Sequence, residues 1–332
     1  MNLLYVVPAL GPCGGIRIVV EHCNRLKERH PDWRILIAAF KPDKPNWINV
    51  DVPIINFNHH PAYAPYDAVV ATGYQTVKRV NIIRKAKRKV YFVQMMEHLF
   101  FKGLDQRRHN DARESYRLAK KWGFEFITIA PWLKDRLTEF GADSIIVPNG
   151  VNMSEFHPRR DPKEHAIVIE GDGRNYAKDT EQITLKVALE LREAYGYKIW
   201  GYAALHKPWH DRYDTFIHKP TTAQMRKLYS NAKFMLKASR YEGRACAPVE
   251  AMCCGTPSVR GIIEGDPDII DGYNALRVGY DYQELHDAAF KLASNLATGG
   301  TLYEKLQKGC KEYAQTKLRW EPMITKLARY YE

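Results

Sequence analysis

Short apolar runs alternate with helically spaced apolar residues along the whole chain. Residues 3–7, 34–40, 68–72, 90–94, 126–130 and 145–147 read as strands. Between the first two, Ile16, Val19, Val20, Cys23 and Leu26 fall on one face of a helix over 16–29. The rhythm pauses in a stretch rich in Pro and turn formers over 148–162, then restarts. Strands are expected at 166–170, 198–203 and 233–236, helices at 181–195, 223–230 and from about 282 onward. Strand–helix alternation of this kind predicts parallel sheets with crossover helices. The expected fold class is therefore α/β, with two Rossmann-like doubly wound domains facing a central cleft. The expected domains are residues 1–150, a linker at 151–162, a second domain at 163–318, and a terminal helix at 319–332 that crosses back to the first. Sheets of this type bind ligands at the carboxyl ends of their strands.

The densest chemistry lies in Tyr241-Glu-Gly-Arg-Ala-Cys-Ala-Pro-Val-Glu-Ala-Met-Cys-Cys-Gly-Thr-Pro257. Glu242 stands in a Glu-Gly turn, and Glu250 is expected about two turns into the helix that follows, which Gly255 and Pro257 close. The free N–H groups of a turn and a helix N-terminus suit anionic oxygens. Two carboxylates suit hydroxyls. A nucleotide sugar offers both.

Composition adds three points. No apolar run reaches the ~18 residues of a membrane span, and the N-terminus reads as a first strand rather than a signal peptide. The six cysteines lack zinc-like spacing, so reduced thiols and a cytoplasmic location, peripheral to a membrane at most, are expected. The net charge of +12 is uneven. Residues 1–150 hold 23 Lys and Arg against 14 acids, and residues 78–121 hold 14 against 4. Arg84, Lys85, Arg107 and Arg108 belong to that basic stretch and are the candidate anion- or acceptor-binding residues, with lipid-linked glycan, a membrane surface or DNA as the anionic partner.

Several stretches, in order, resemble the GT-B retaining glycosyltransferases of family 4. These are Gly11-Pro-Cys-Gly-Gly15 before a helix, Pro148-Asn-Gly-Val-Asn152 with Phe156 and Pro158, Gly173-Arg174 with Lys178, the Glu242-x7-Glu250 signature, and Asp271-Gly-Tyr-Asn-Ala275. Trp320-Glu321 resembles the start of the family's terminal helix. The resemblance covers the C-terminal half nearly end to end and the N-terminal half loosely.

It implies sugar transfer from a nucleoside-diphosphate sugar to a glycan or lipid-linked acceptor. Modified bases of DNA are the alternative acceptor, and a non-catalytic binding protein of the same fold is a further alternative. Glu242 would lie beside the donor sugar and Glu250 would accept the ribose hydroxyls. Arg174 and Lys178 would bind the diphosphate. Backbone N–H groups of Arg244, Ala245 and Cys246 would face the sugar or distal phosphate, and Gly14 and Gly15 would let the first helix approach the donor. Gln94 stands where many members carry a His, with Glu97 nearby as a further catalytic candidate. No cofactor and no metal are expected. Asp266-Pro-Asp268 fits a metal-binding D-x-D pattern, but in a Gly/Pro loop late in the chain it reads as a loop feature.

Overall fold

The computed structural model describes all residues except 60–63, 172–179 and 205–210. The chain forms two compact units. The first comprises Met1–Asn149 and Glu321–Glu332, the second Gly150–Trp320.

The first unit holds strands β1 (Asn2–Ala9), β2 (Arg34–Lys41), β3 (Ile54–Asn56), β4 (Tyr66–Ala71), β5 (Ala86–Val93), β6 (Glu125–Thr128) and β7 (Ile145–Ile146). They form one parallel sheet in the order β3-β2-β1-β4-β5-β6-β7. Its helices are α1 (Gly14–Arg29), α2 (Tyr74–Asn81), α3 (His98–Phe101), α4 (Gln106–Lys121) and α5 (Pro131–Thr138). Central β1 is buried from Leu3 to Val7, as a strand covered on both faces must be. Helix α4 begins where the Asp105 carboxylate accepts the Arg108 N–H at 2.9 Å.

The second unit contains β8 (Ala166–Glu170), α6 (Leu185–Tyr195), β9 (Lys198–Ala203), β10 (Thr215–His218), α7 (Thr222–Asn231), β11 (Phe234–Tyr241), α8 (Cys246–Cys253), β12 (Ser258–Glu264), β13 (Ala275–Val278), α9 (Tyr282–Ala297) and α10 (Leu302–Lys317). Its parallel sheet runs β10-β9-β8-β11-β12-β13. One core fills the face toward α7, α8 and α10, the other the face toward α6 and α9. Residues 151–162, read from the sequence as a linker, belong to this unit, with Phe156 buried in the first of these cores.

The last helix, α11 (Trp320–Tyr331), packs into the first unit. Tyr331 places its hydroxyl 2.8 Å from that of Tyr5 in β1. Arg88 in β5 donates to the carbonyls of Tyr330 at 2.7 Å and Tyr331 at 3.1 Å, its guanidinium 4.5 Å from the Tyr330 ring centroid.

Candidate functional site

The second sheet is parallel throughout, so β8, β11 and β12 deliver their carboxyl ends to one edge. Glu170 ends β8, Glu242 follows β11, and Glu264 ends β12. The sequence pattern ends β11 at residue 236 because Lys237, Ser239 and Arg240 interrupt its apolar run. The strand continues to Tyr241 because those polar groups find partners. Lys237, only 4% exposed at its side chain, forms ion pairs with Glu170 Oε2 and with Glu242 Oε1, the latter at 3.2 Å. Ser239 Oγ donates to the same Glu242 oxygen at 3.2 Å.

The turn from Glu242 into α8 is held by the loop after β12. Glu242 N–H donates to the Glu264 carbonyl at 3.1 Å. Asp266, at a left-handed φ of +50°, accepts the Ala245 N–H at 2.7 Å on one oxygen and Arg260 Nε at 2.5 Å on the other. Asp268 accepts Arg244 Nε on one oxygen and the Tyr313 hydroxyl at 2.9 Å on the other. Arg260 is fully buried and also donates to the Lys237 carbonyl at 3.2 Å. The D-x-D pair is thus a scaffold, each carboxylate neutralised by an arginine. Among the described residues no group of His, Cys, Asp and Glu could hold a metal ion.

These contacts revise one expectation. The Ala245 N–H is spent on Asp266, so it does not face a ligand. The Arg244 side chain is buried against Asp268. A second revision concerns α8, which starts at Cys246. Glu250 is therefore its fifth residue, one turn in rather than two. Pro248 fits because a first-turn residue needs no intrahelical N–H bond.

Glu250 is 5% exposed. Near it, the hydroxyls of Tyr202 and Tyr229 meet at 2.7 Å. Burial pushes the Tyr202 phenol well above its usual range, and the Glu170 and Glu250 charges add to the shift. Burial also pushes the Cys254 thiol up to about 12, with Glu250 contributing. Arg174 and Lys178 lie outside the described residues.

In the first unit, Gly14 and Gly15 are the first two residues of α1, which starts two residues earlier than its apolar spacing indicates. Gln94 follows β5 and donates Nε2 to the Gly15 carbonyl at 3.1 Å, which joins these two predicted residues. Glu97 has a different task. Its Oε2 accepts the Tyr74 N–H that opens α2 at 2.8 Å and the Tyr91 hydroxyl at 3.3 Å. Burial raises its carboxyl to about 7, against those two hydrogen bonds. Burial likewise lowers His98 to about 4.

The basic stretch does not form one surface. Arg84 and Lys85 are exposed just before β5, at the amino edge of the sheet. Arg107 and Arg108 open α4, which follows the carboxyl end of β5. Between them Arg88 pairs with Glu125 through Nη2 at 2.7 Å and Nε at 2.8 Å, and Lys87 pairs with Asp67 at 2.8 Å. Periodicity could not separate these roles, because a strand about 3.3 Å long per residue carries its two ends to opposite edges of the sheet.

Sequence reading missed Lys237, Glu170, Ser239 and Arg260. The available signal was a cation inside each of two apolar strands, Lys237 in β11 and Arg260 in β12, since a buried charge requires a partner.

Residues 163–295 match the family model described as Glycosyl transferases group 1. No curated protein sequence matches the chain. Sucrose-phosphate synthase from Thermosynechococcus elongatus is similar in structure, with a TM-score of 0.79 at 14% identity over 99% of this chain and 98% of that one. Anabaena HepE in complex with UDP-glucose gives 0.75 at 13% identity, covering 99% of each chain. WaaG, a glycosyltransferase involved in lipopolysaccharide biosynthesis, gives 0.72 at 13% identity, again over 99% of each. The chain has the fold of the GT-B glycosyltransferases, two Rossmann-like units, and its second unit carries the group 1 glycosyltransferase pattern.

Proposed function

We propose that the protein is a retaining glycosyltransferase of family 4 that moves a hexosyl or deoxyhexosyl group from a nucleoside-diphosphate sugar to a glycan or lipid-linked acceptor. The observation that carries this reading is the Glu242 carboxylate at the carboxyl edge of the second sheet. Its Oε1 takes both protein donors, while Oε2 has no partner among the described residues. A carboxylate fixed by one oxygen presents the other to a sugar hydroxyl, or to positive charge developing at the ring carbon. Glu250, one turn into α8, is assigned to the ribose hydroxyls. Arg174 and Lys178 are assigned to the diphosphate, where cations offset charge on the leaving group. The backbone of Arg244 and Cys246 lines the turn beside Glu242.

In this scheme the bond from the anomeric carbon to the phosphate oxygen breaks, the acceptor oxygen bonds to the same face, and the acceptor proton passes to the leaving phosphate. Gln94 is assigned a hydrogen bond to a sugar or acceptor hydroxyl, and Gly14 and Gly15 are assigned to the donor. Glu97 is left out of the chemistry because its described bonds serve Tyr74 and Tyr91. The reaction is assigned no metal, since both carboxylates of the D-x-D pair already pair with arginines.

The HepE complex with UDP-glucose supports a nucleoside-diphosphate donor, and the lipopolysaccharide role of WaaG supports a glycan or lipid-linked acceptor. Exposed Arg107 and Arg108, near 60%-exposed Leu104, suit an anionic, partly apolar acceptor or membrane surface. No helix among the described residues is long and apolar enough to cross a membrane.

A panel of nucleotide sugars assayed for transfer, hydrolysis and binding tests the reading. One donor should be consumed, and Glu242→Gln should lower turnover by about 10²–10³-fold while nucleoside-diphosphate binding survives. A wild-type protein that neither binds nor consumes any donor overturns it. Lipid-linked glycans and duplex DNA with modified bases, compared as acceptors across a salt series, separate the two acceptor classes.

A further inference from the structure

Lys237 is the least expected charge in the second sheet. It lies on a strand paired on both sides, β8 to one and β12 to the other. A lysine buried there loses its hydration and persists only when ion pairs and hydrogen bonds replace it. Two carboxylates do so. Glu170 reaches it from the end of β8, 67 residues away in sequence, and Glu242 from the turn after β11. The Lys237 carbonyl is also fixed, by Arg260.

The consequence falls on Glu242. Lys237 Nζ and Ser239 Oγ both approach Oε1, each at 3.2 Å. A carboxylate free to rotate would offer either oxygen to a ligand. One whose Oε1 is held from the strand just before it offers Oε2 in one direction. The neighbouring charges come from every adjoining element. Glu170 comes from β8 and Glu264 from β12, while Arg260 and Arg244 are committed to Asp266 and Asp268. Among the described residues Lys237 is the cation within ion-pair distance of Glu242.

We propose that Lys237 is a positioning residue for the transfer reaction, anchoring Oε1 of Glu242 so that Oε2 faces the donor sugar. Glu170 holds Lys237 in place from the opposite side. This assignment rests on the proposed role of Glu242, and it extends the site to a residue that never touches substrate.

The test combines Lys237→Met with Glu170→Gln, which removes the anchor without leaving a buried carboxylate at position 170. Ser239→Ala, which changes no charge, is the second variant. Cooperative thermal unfolding establishes that each is folded. In protein labelled with ¹³C at glutamate carboxyls, the Glu242 resonance is assigned by its loss in Glu242→Gln. In the double variant its chemical shift should move away from the wild-type position, because the ion pair at Oε1 is gone. Turnover should fall about 100-fold while the donor KM stays within about threefold. Ser239→Ala should lose about tenfold in turnover, the smaller effect of a neutral donor. An unmoved Glu242 resonance in both variants overturns the positioning role whatever the activity. A moved resonance with wild-type turnover overturns its bearing on catalysis. If wild type consumes no donor, the proposed function fails and the resonance alone still decides whether Lys237 anchors Glu242.

Discussion

Gly265 lies against the carbonyl of Glu242: a Cβ placed on it would stand 1.9 Å from that oxygen. Its φ of +129° is also one that side chains avoid. The loop after β12 thus sets the height of the turn bearing the Glu242 carboxylate. Gly265→Ala should cost about 1–3 kcal/mol from backbone conformation alone, before the clash is relieved. Relief must move Glu242, so turnover should fall by about 10²-fold. Chemical denaturation and steady-state kinetics on the purified variant read both effects. A variant as stable and active as wild type contradicts the close approach.

Arg260 and Asp266 should behave as a unit. Arg260→Met leaves the Asp266 carboxylate buried without its cation and should destabilise by about 3–5 kcal/mol. Pairing it with Asp266→Asn keeps an acceptor for the Ala245 N–H and removes the stranded charge. The double variant should therefore recover part of the loss. A double-mutant cycle measures the coupling, and additive losses would show that the pair is not a unit.

Glu97 gives a pH signature. Its carboxyl titrates at about 7 when folded, raised by burial from an ordinary value of 4.5. Below pH 4.5 both states hold the proton and the group has no effect. Between 4.5 and about 7 the folded state retains the proton that the unfolded state releases, so stability falls as pH rises. Glu97→Gln carries no titrating proton. The stability difference between wild type and variant should shift against wild type across this window, by roughly 1–3 kcal/mol. Urea midpoints at pH 4.5, 6 and 7.5 would expose a flat difference, which would refute the burial.

Arg88 should govern how firmly α11 is held. It joins Glu125, the Tyr330 and Tyr331 carbonyls and the Tyr330 ring. Arg88→Ala should cost about 1 kcal/mol overall, since the pair is partly exposed. Hydrogen exchange should quicken in residues 321–331 while β1 and β4 keep their protection. Equal protection throughout would place the hold on α11 elsewhere, on the Tyr5–Tyr331 contact first.

Much of the architecture is legible in the chain. Local periodicity locates β8 and β9 at their observed bounds and most other strands to within a few residues, because an interior parallel strand must be apolar along its length. Short β3, β10 and β13 carry too few residues to show a period, and β11 is cut short by its own polar residues. The Glu-x7-Glu spacing places Glu242 on a turn and Glu250 in the helix after it, since that geometry is local, although the helix starts later than expected and Glu250 is one turn in rather than two.

Partners that hold those carboxylates are not local. Glu170 and Lys237 are 67 residues apart, Arg244 and Asp268 are 24, and Ala245 and Asp266 are 21. The sequence by itself determined two Rossmann-like units and a pair of glutamates at the end of a strand, because hydrophobic period and turn chemistry act over a few residues. Only tertiary structure decided that a buried lysine anchors one of those glutamates, that the D-x-D pair serves as scaffold, and that the basic stretch divides between two edges of a sheet. Parallel strand pairing brings distant residues to one edge, and burial then requires each charge it encloses to find its opposite.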